Sequence, residues 1–251
     1  MKLKFLGTGS WYPLTHPTPC CLLRTKKTDF VLDAGTGAAQ LRNEKLRAPI
    51  CVLYTHTHPD HTEGLFYLCK GKPAAANRGI DYRVYGPDKR LLRNTVGLGS
   101  RAEHFKRCFT DLKQGNYKIG GARVTALRLD HCKKDNHHGE SQPLGYRIEV
   151  DGKKFAYITD TGYCRNAVRL ARNCDACVID STFLEKDGHT NPTHCTAKQA
   201  AHIALEAGAK KLYLYHYSLH YDKLELDKLL KEARSVFEKS YLSREGLVVT
   251  V

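Results

Sequence analysis

The sequence predicts one α/β domain over residues 1–251. Three observations carry that expectation. Short apolar runs recur as strand signals and alternate with segments of helical period, with no linker between them. Hydrophobic residues make up 41% of the chain, which suits a large core and excludes a disordered polypeptide. No internal repeat or low-complexity tract divides the 251 residues, although one domain usually holds about 100–200.

The elements follow in order. The opening Met-Lys-Leu-Lys-Phe-Leu-Gly-Thr-Gly-Ser reads as a strand running into a glycine loop. Val31–Asp33 and Cys51–Tyr54 are short apolar strands, each ending at a polar cluster. Residues 71–121 are basic, glycine-punctuated and weakly periodic, and are expected to form a substrate-facing insertion with a helix around Arg101–Leu112. Arg123–Leu129 and Tyr146–Val150 are strands on either side of a His-rich loop. Asp151-Gly152 is a hairpin turn into Phe155–Ile158, and Cys177–Ile179 is a further strand. Thr196 caps a helix over Ala197–Ala207 that Gly208 stops. Leu212–Tyr215 is a strand ending at His216. Leu226, Leu229, Leu230, Ala233, Val236 and Phe237 mark an amphipathic helix. Leu247–Val251 closes as a strand.

Composition narrows the function. No apolar run approaches the roughly 18 residues that span a bilayer, and the start lacks the apolar stretch of a secretion signal. The expected compartment is the cytoplasm, with no membrane partner. The ten cysteines therefore read as small core residues rather than a disulfide framework. Cys174-Asp-Ala-Cys177 has no second CxxC to complete a thiolate zinc site. Lys and Arg number 40 against 26 Asp and Glu. Between Lys70 and Lys134 the basic surplus is roughly three to one, which suits a polyanion.

The densest signal is Thr55-His56-Thr57-His58-Pro59-Asp60-His61, directly after an apolar strand. His56 and His58 lie two apart, so on extended backbone they point the same way. Pro59 then turns the chain, which lets Asp60 and His61 face the same cavity from the next element. That divides the ligands between two adjacent metals, and imidazole with carboxylate suits Zn²⁺ and related divalent ions.

His56-Thr-His58-Pro-Asp60-His61 resembles the HxHxDH signature of the metallo-β-lactamase superfamily. Phe5-Leu-Gly-Thr-Gly9 resembles its N-terminal strand and glycine loop, and Leu32-Asp33-Ala34-Gly35 its second motif. The resemblance implies an αββα sandwich with two divalent ions at a sheet edge, Zn²⁺ foremost and Mn²⁺ as the alternative. It makes Asp160 the bridging carboxylate and His216 the last ligand. The third histidine of the first metal is His131 at the end of its strand, or else His138 in the loop that follows.

His194-Cys-Thr-Ala-Lys-Gln-Ala-Ala201, followed by Lys211–Ser218, resembles the ribonuclease Z-like branch. The resemblance makes His194 the proton donor to the leaving oxygen and Asp180 its supporting acid, where the family usually has Glu. Asp60 would hold or accept a proton of the nucleophile. Two features depart from that branch. A hairpin alone separates Tyr146 from Asp160, where the family carries a tRNA-gripping arm. Trp11-Tyr12-Pro13-Leu14-Thr15-His16-Pro17 replaces its Pro-x-Lys-x-Arg-Asn loop. The expected activity is a binuclear metal-dependent phosphodiesterase, a ribonuclease Z-like endonuclease on RNA or other nucleic acid, with Lys89, Arg90 and Arg93 binding substrate. The alternative is a phosphodiesterase for a small cyclic phosphate or nucleotide. A second copy of the chain stays open as a partner.

Overall fold

The structure, a computed structural model, describes residues 1–12, 16–65, 68, 82–88, 109–131, 143–188 and 193–251. Its described strands form two seven-stranded sheets. The first holds β1 (Lys2–Gly7), β2 (Cys20–Arg24), β3 (Asp29–Leu32), β4 (Ile50–Leu53), β5 (Tyr82–Gly86) and β6 (Phe109–Asp111), with β14 (Val248–Thr250) returning from the C-terminus to pair with β1. The second holds β7 (Gly115–Ile119), β8 (Ala122–Arg128), β9 (Leu144–Val150), β10 (Lys153–Ile158), β11 (Ala176–Asp180), β12 (Leu212–Tyr215) and β13 (Ser240–Leu242). Each sheet is antiparallel on one side and parallel on the other. β3 to β6 run parallel in the first, and β10 to β13 in the second.

The sequence explains the layering. Strands buried on both faces need apolar residues at every position. Along β3, Phe30 and Leu32 face the core between the sheets, while Val31 faces the outer side. Along β12, Tyr213 and Tyr215 point inward, while Leu212 and Leu214 pack outward. The outer face of the first sheet is covered by a 3-10 helix over Thr36–Asn43 through Ala38 and Leu41. α1 is the short helix Pro59–Thr62. The second sheet is covered by α2 (Arg165–Ala171), α3 (Ala197–Glu206) and α4 (Lys223–Arg234), which bury Ala167, Leu170, Ala200, Ala204, Leu229 and Ala233. The result is the αββα sandwich that the resemblance implied.

Local chemistry sets the boundaries. Asp151 and Gly152 take φ of 55° and 72°, the turn a two-residue hairpin requires. Thr196 and Gln199 form a reciprocal capping box on α3, and Gly208 at φ 62° ends it. Asp222 and Glu225 cap α4 in the same way, so the helix begins at Lys223, ahead of Leu226, its first residue packed on the core. The described cysteines are free, and Cys51 and Cys177 pack in the cores.

The helix expected around Arg101–Leu112 is corrected over its last residues. Phe109–Asp111 form β6, paired in parallel with β5, because Phe109 buries its ring 5.6 Å from that of Tyr54. Within 71–121, β5, β6 and β7 belong to the two sheets. Lys89, Arg90, Arg93 and His138 lie outside the described residues. No helix among the described residues is long and apolar enough to cross a membrane.

Candidate metal centre and active site

The chemistry gathers at the carboxyl ends of the parallel strands, where open α/β sheets bind ligands. Asp33 follows β3, and His56, His58 and α1 follow β4. Asp160 follows β10, Asp180 ends β11, and His216 follows β12. His131 comes from the loop after β8, and His194 from the approach to α3. Glycine lets the first-sheet pieces meet: a Cβ on Gly35 would lie 1.9 Å from the Asp60 carbonyl oxygen. Asp33, Asp160 and His216 sit at φ of 54°, 53° and 64°, a left-handed backbone that non-glycine residues rarely adopt.

Ligating atoms of His56, His58, His131 and Asp160 all lie within 4.8 Å of one another, as do those of Asp60, His61 and His216. Asp160 stands between the groups. Its Oδ1 is 3.8 Å from Nε2 of both His56 and His131, and its Oδ2 is 3.0 Å from His61 Nε2 and 3.4 Å from His216 Nε2. Asp60 Oδ2 is 3.4 Å from His61 Nε2 and 3.5 Å from His216 Nε2.

The rings are held from behind. His56 Nδ1 is 3.0 Å from Thr55 Oγ1, His61 Nδ1 is 2.8 Å from Asp33 Oδ2, His131 Nδ1 is 3.1 Å from the Thr193 carbonyl, and His216 Nδ1 is 3.1 Å from Thr182 Oγ1. Such outer contacts orient imidazole ligands. The donor set of imidazole and carboxylate, nearly all of it buried, fits a pair of Zn²⁺ or Mn²⁺ ions.

Electrostatics agree with that fit. Burial pushes the His56 pKa well below its ordinary value, with His61 adding to the effect. Burial also lowers His131, to about 4. Both rings are therefore neutral near pH 7, the form that ligates. Burial would raise Asp60 and Asp160, but the surrounding imidazoles hold both well below the carboxylate range. His61 is driven the other way: burial opposes its charge, and Asp160, Asp60 and Asp33 overcome burial and raise it strongly. Those buried carboxylates require a cation, which a metal ion can supply in place of the His61 proton.

A second constellation adjoins the first. His194, 2% exposed, places Nδ1 2.7 Å from Asp180 Oδ2. Asp180 is fixed by N–H groups of Thr161 and Thr182 and by the Thr182 hydroxyl. Burial opposes a charge on His194, yet the Asp180 charge and hydrogen bond raise its pKa to about 9. The ring stacks on His216 at 5.2 Å and meets His131 edge-on at 4.7 Å.

The structure thus brings together His56, His58, Asp60, His61, His131, Asp160, His216, His194 and Asp180. Reading the sequence missed Asp33 as a site residue, along with Tyr157, whose hydroxyl donates to Asp33 at 3.0 Å, and Thr182. Two signals pointed to the first: the carboxylate closing the apolar Val31-Leu32 run, and the resemblance of Leu32-Asp33-Ala34-Gly35 to the superfamily's second motif. Asp33→Asn is expected to lower metal affinity about 10–100-fold, the usual cost of a lost outer partner. Competition with a chelator measures this, and unchanged affinity would remove Asp33 from the site.

Residues 28–217 match the family model described as "Beta-lactamase superfamily domain". The chain is 44% identical to ribonuclease Z of Picrophilus torridus over an alignment of 301 positions, covering 100% of this chain and 96% of that protein. Among solved structures, it is similar to the metallo-β-lactamase fold protein YhfI from Bacillus subtilis, with a TM-score of 0.77, 22% identity and coverage of 99% and 98% of the two chains. It is also similar to the short form of human tRNase Z, with a TM-score of 0.72, 21% identity and coverage of 100% and 99%. The family match and the full-length relative agree with the buried His/Asp clusters: the chain belongs to the metallo-β-lactamase superfamily, in its ribonuclease Z-like branch, and is a metal-dependent hydrolase.

Proposed function

We propose that this protein is a binuclear metal-dependent phosphodiesterase that cleaves RNA as a ribonuclease Z-like endonuclease. The observation that carries the reading is the His194–Asp180 pair, buried directly beside the metal cluster. A good leaving group needs no proton donor, whereas the sugar oxygen leaving a phosphodiester does.

His56, His58 and His131 would hold one ion, Asp60, His61 and His216 the other, and Asp160, which stands between the two groups, would serve both. When bound, two such ions lower the pKa of water and neutralise charge on a phosphoryl oxygen. Asp60, ionised and 3.0 Å from the donating Trp11 N–H, is oriented to accept a proton from the attacking water. His194, kept protonated by Asp180, gives its proton to the departing oxygen. Zn²⁺ is the first candidate and Mn²⁺ the second.

The substrate grip is assigned to the basic stretch of the 71–121 segment, within a single domain over 1–251. Lys89, Arg90 and Arg93 are its candidate phosphate contacts. RNA affinity is expected to fall with salt at a log–log slope of about −0.7 per contact on single strands. Charge reversal at these three positions should weaken RNA binding far more than it slows bis(p-nitrophenyl) phosphate turnover. Salt-independent binding would count against this grip. A small cyclic phosphate or nucleotide is the second reading, favoured by the two-residue turn between β9 and β10, where a macromolecular grip would need chain. A metal-reconstituted panel of a 3′-extended tRNA, single-stranded RNA and cyclic nucleotides decides between them.

A further inference from the structure

Trp11 is the chain's one tryptophan. Its backbone N–H donates to Asp60 Oδ2 at 3.0 Å, which places the residue at the lip of the cluster. Its φ is 56°, a left-handed conformation that is costly for a bulky side chain. The indole is 60% exposed, and neighbouring Tyr12 is 64% exposed. The segment itself is pinned. Ser10 donates its N–H to the Tyr217 carbonyl at 3.0 Å and its hydroxyl to the same oxygen at 2.9 Å, and Gly9 forms a β-bridge with Tyr217. The residue before Tyr217 is His216. The loop is thus fastened to Asp60 on one side and to Tyr217, the residue after His216, on the other.

A large apolar ring held in a strained backbone leaves most of its surface in water. It gains if a flat apolar group lands on it. We infer that Trp11, with Tyr12 beside it, is a stacking platform for an unpaired nucleobase next to the scissile phosphate. A base suits the platform because every nucleobase offers a π-face, and stacking on an aromatic ring tolerates any sequence. The phosphate is drawn to the metal cluster, and the nucleoside attached to it must leave the cavity past its lip. The inference rests on the phosphodiesterase reading above and extends it: Trp11 positions the substrate and selects a single-stranded cleavage site.

The single tryptophan makes the test direct. Binding of a single-stranded RNA oligonucleotide should quench Trp11 fluorescence. The same oligonucleotide with an abasic residue at the stacked position should quench far less. Trp11→Ala should lower kcat/KM on RNA by about 10- to 100-fold, the scale of one base-stacking contact, mainly through KM. Trp11→Phe should restore most of the loss, and metal content is measured on each variant. The Trp11→Ala deficit should vanish on a substrate that is abasic at one position beside the cleaved bond. Equal deficits on intact and abasic substrates, or no quenching, would overturn the platform. If the unaltered enzyme cleaves no RNA, the nuclease reading falls alone. Adenosine monophosphate against ribose 5-phosphate then tests stacking separately, and quenching by the base-free sugar phosphate as strong as by the nucleotide would overturn it.

Discussion

Asp160→Ala is expected to abolish hydrolysis and to strip metal from a protein that otherwise carries close to two divalent ions per chain. The two carboxylate oxygens of Asp160 face different histidine sets: Oδ1 faces His56 and His131, and Oδ2 faces His61 and His216. Truncation therefore removes a ligand from both ions at once. It also removes buried negative charge that balances them, and like-charged ions at short range repel strongly in a low-dielectric cavity. Elemental analysis and circular dichroism on the same sample separate metal loss from unfolding. A metal-free yet active enzyme would falsify the binuclear assignment.

His194→Ala is expected to keep both ions and still lose about 10²–10⁴-fold in turnover on RNA, the usual contribution of a general acid. The loss should be much smaller on bis(p-nitrophenyl) phosphate, whose nitrophenolate departs without a proton. Asp180→Asn should show a milder form of the same pattern, because it removes the charge that raises His194 to about 9 while leaving the imidazole in place. Equal losses on good and poor leaving groups would make His194 a substrate-positioning residue instead.

The legible parts of the site share one property: they are local in sequence. His56, His58, Asp60 and His61 lie within one strand end and one turn, so their spacing alone implies a common cavity. The hairpin at Asp151-Gly152 and the cap at Thr196 are equally local, and both appear in the structure. Asp33 supports His61 from 28 positions away, a pairing that only the parallel register of β3 and β4 creates. Thr182 is similar, reaching His216 across 34 residues. Phe109–Asp111 misled for a related reason. Three residues carry too little periodicity to tell a strand from a helix, and β5 decides the outcome. The sequence put His131 first, as the histidine that ends its strand, and His138 second, in a loop that lies outside the described residues. The structure places His131 against Thr193 and beside His58 and His194.

The two sheets contribute unequally to the cluster, and neither is sufficient. Residues 56–61 hang from the first sheet, whereas His131, Asp160 and His216 hang from the second. An ion held by both sets binds the docked sandwich and not its separated layers. Occupancy is then linked by mass action to the packing of Phe5, Phe30, Tyr146 and Tyr157 in the core between the sheets. An ion present at 100 times its dissociation constant adds about 2.7 kcal/mol to a folded state that alone can bind it. Metal bound there would act as a rivet across the sandwich, and its removal by a chelator is expected to lower the melting temperature together with the activity.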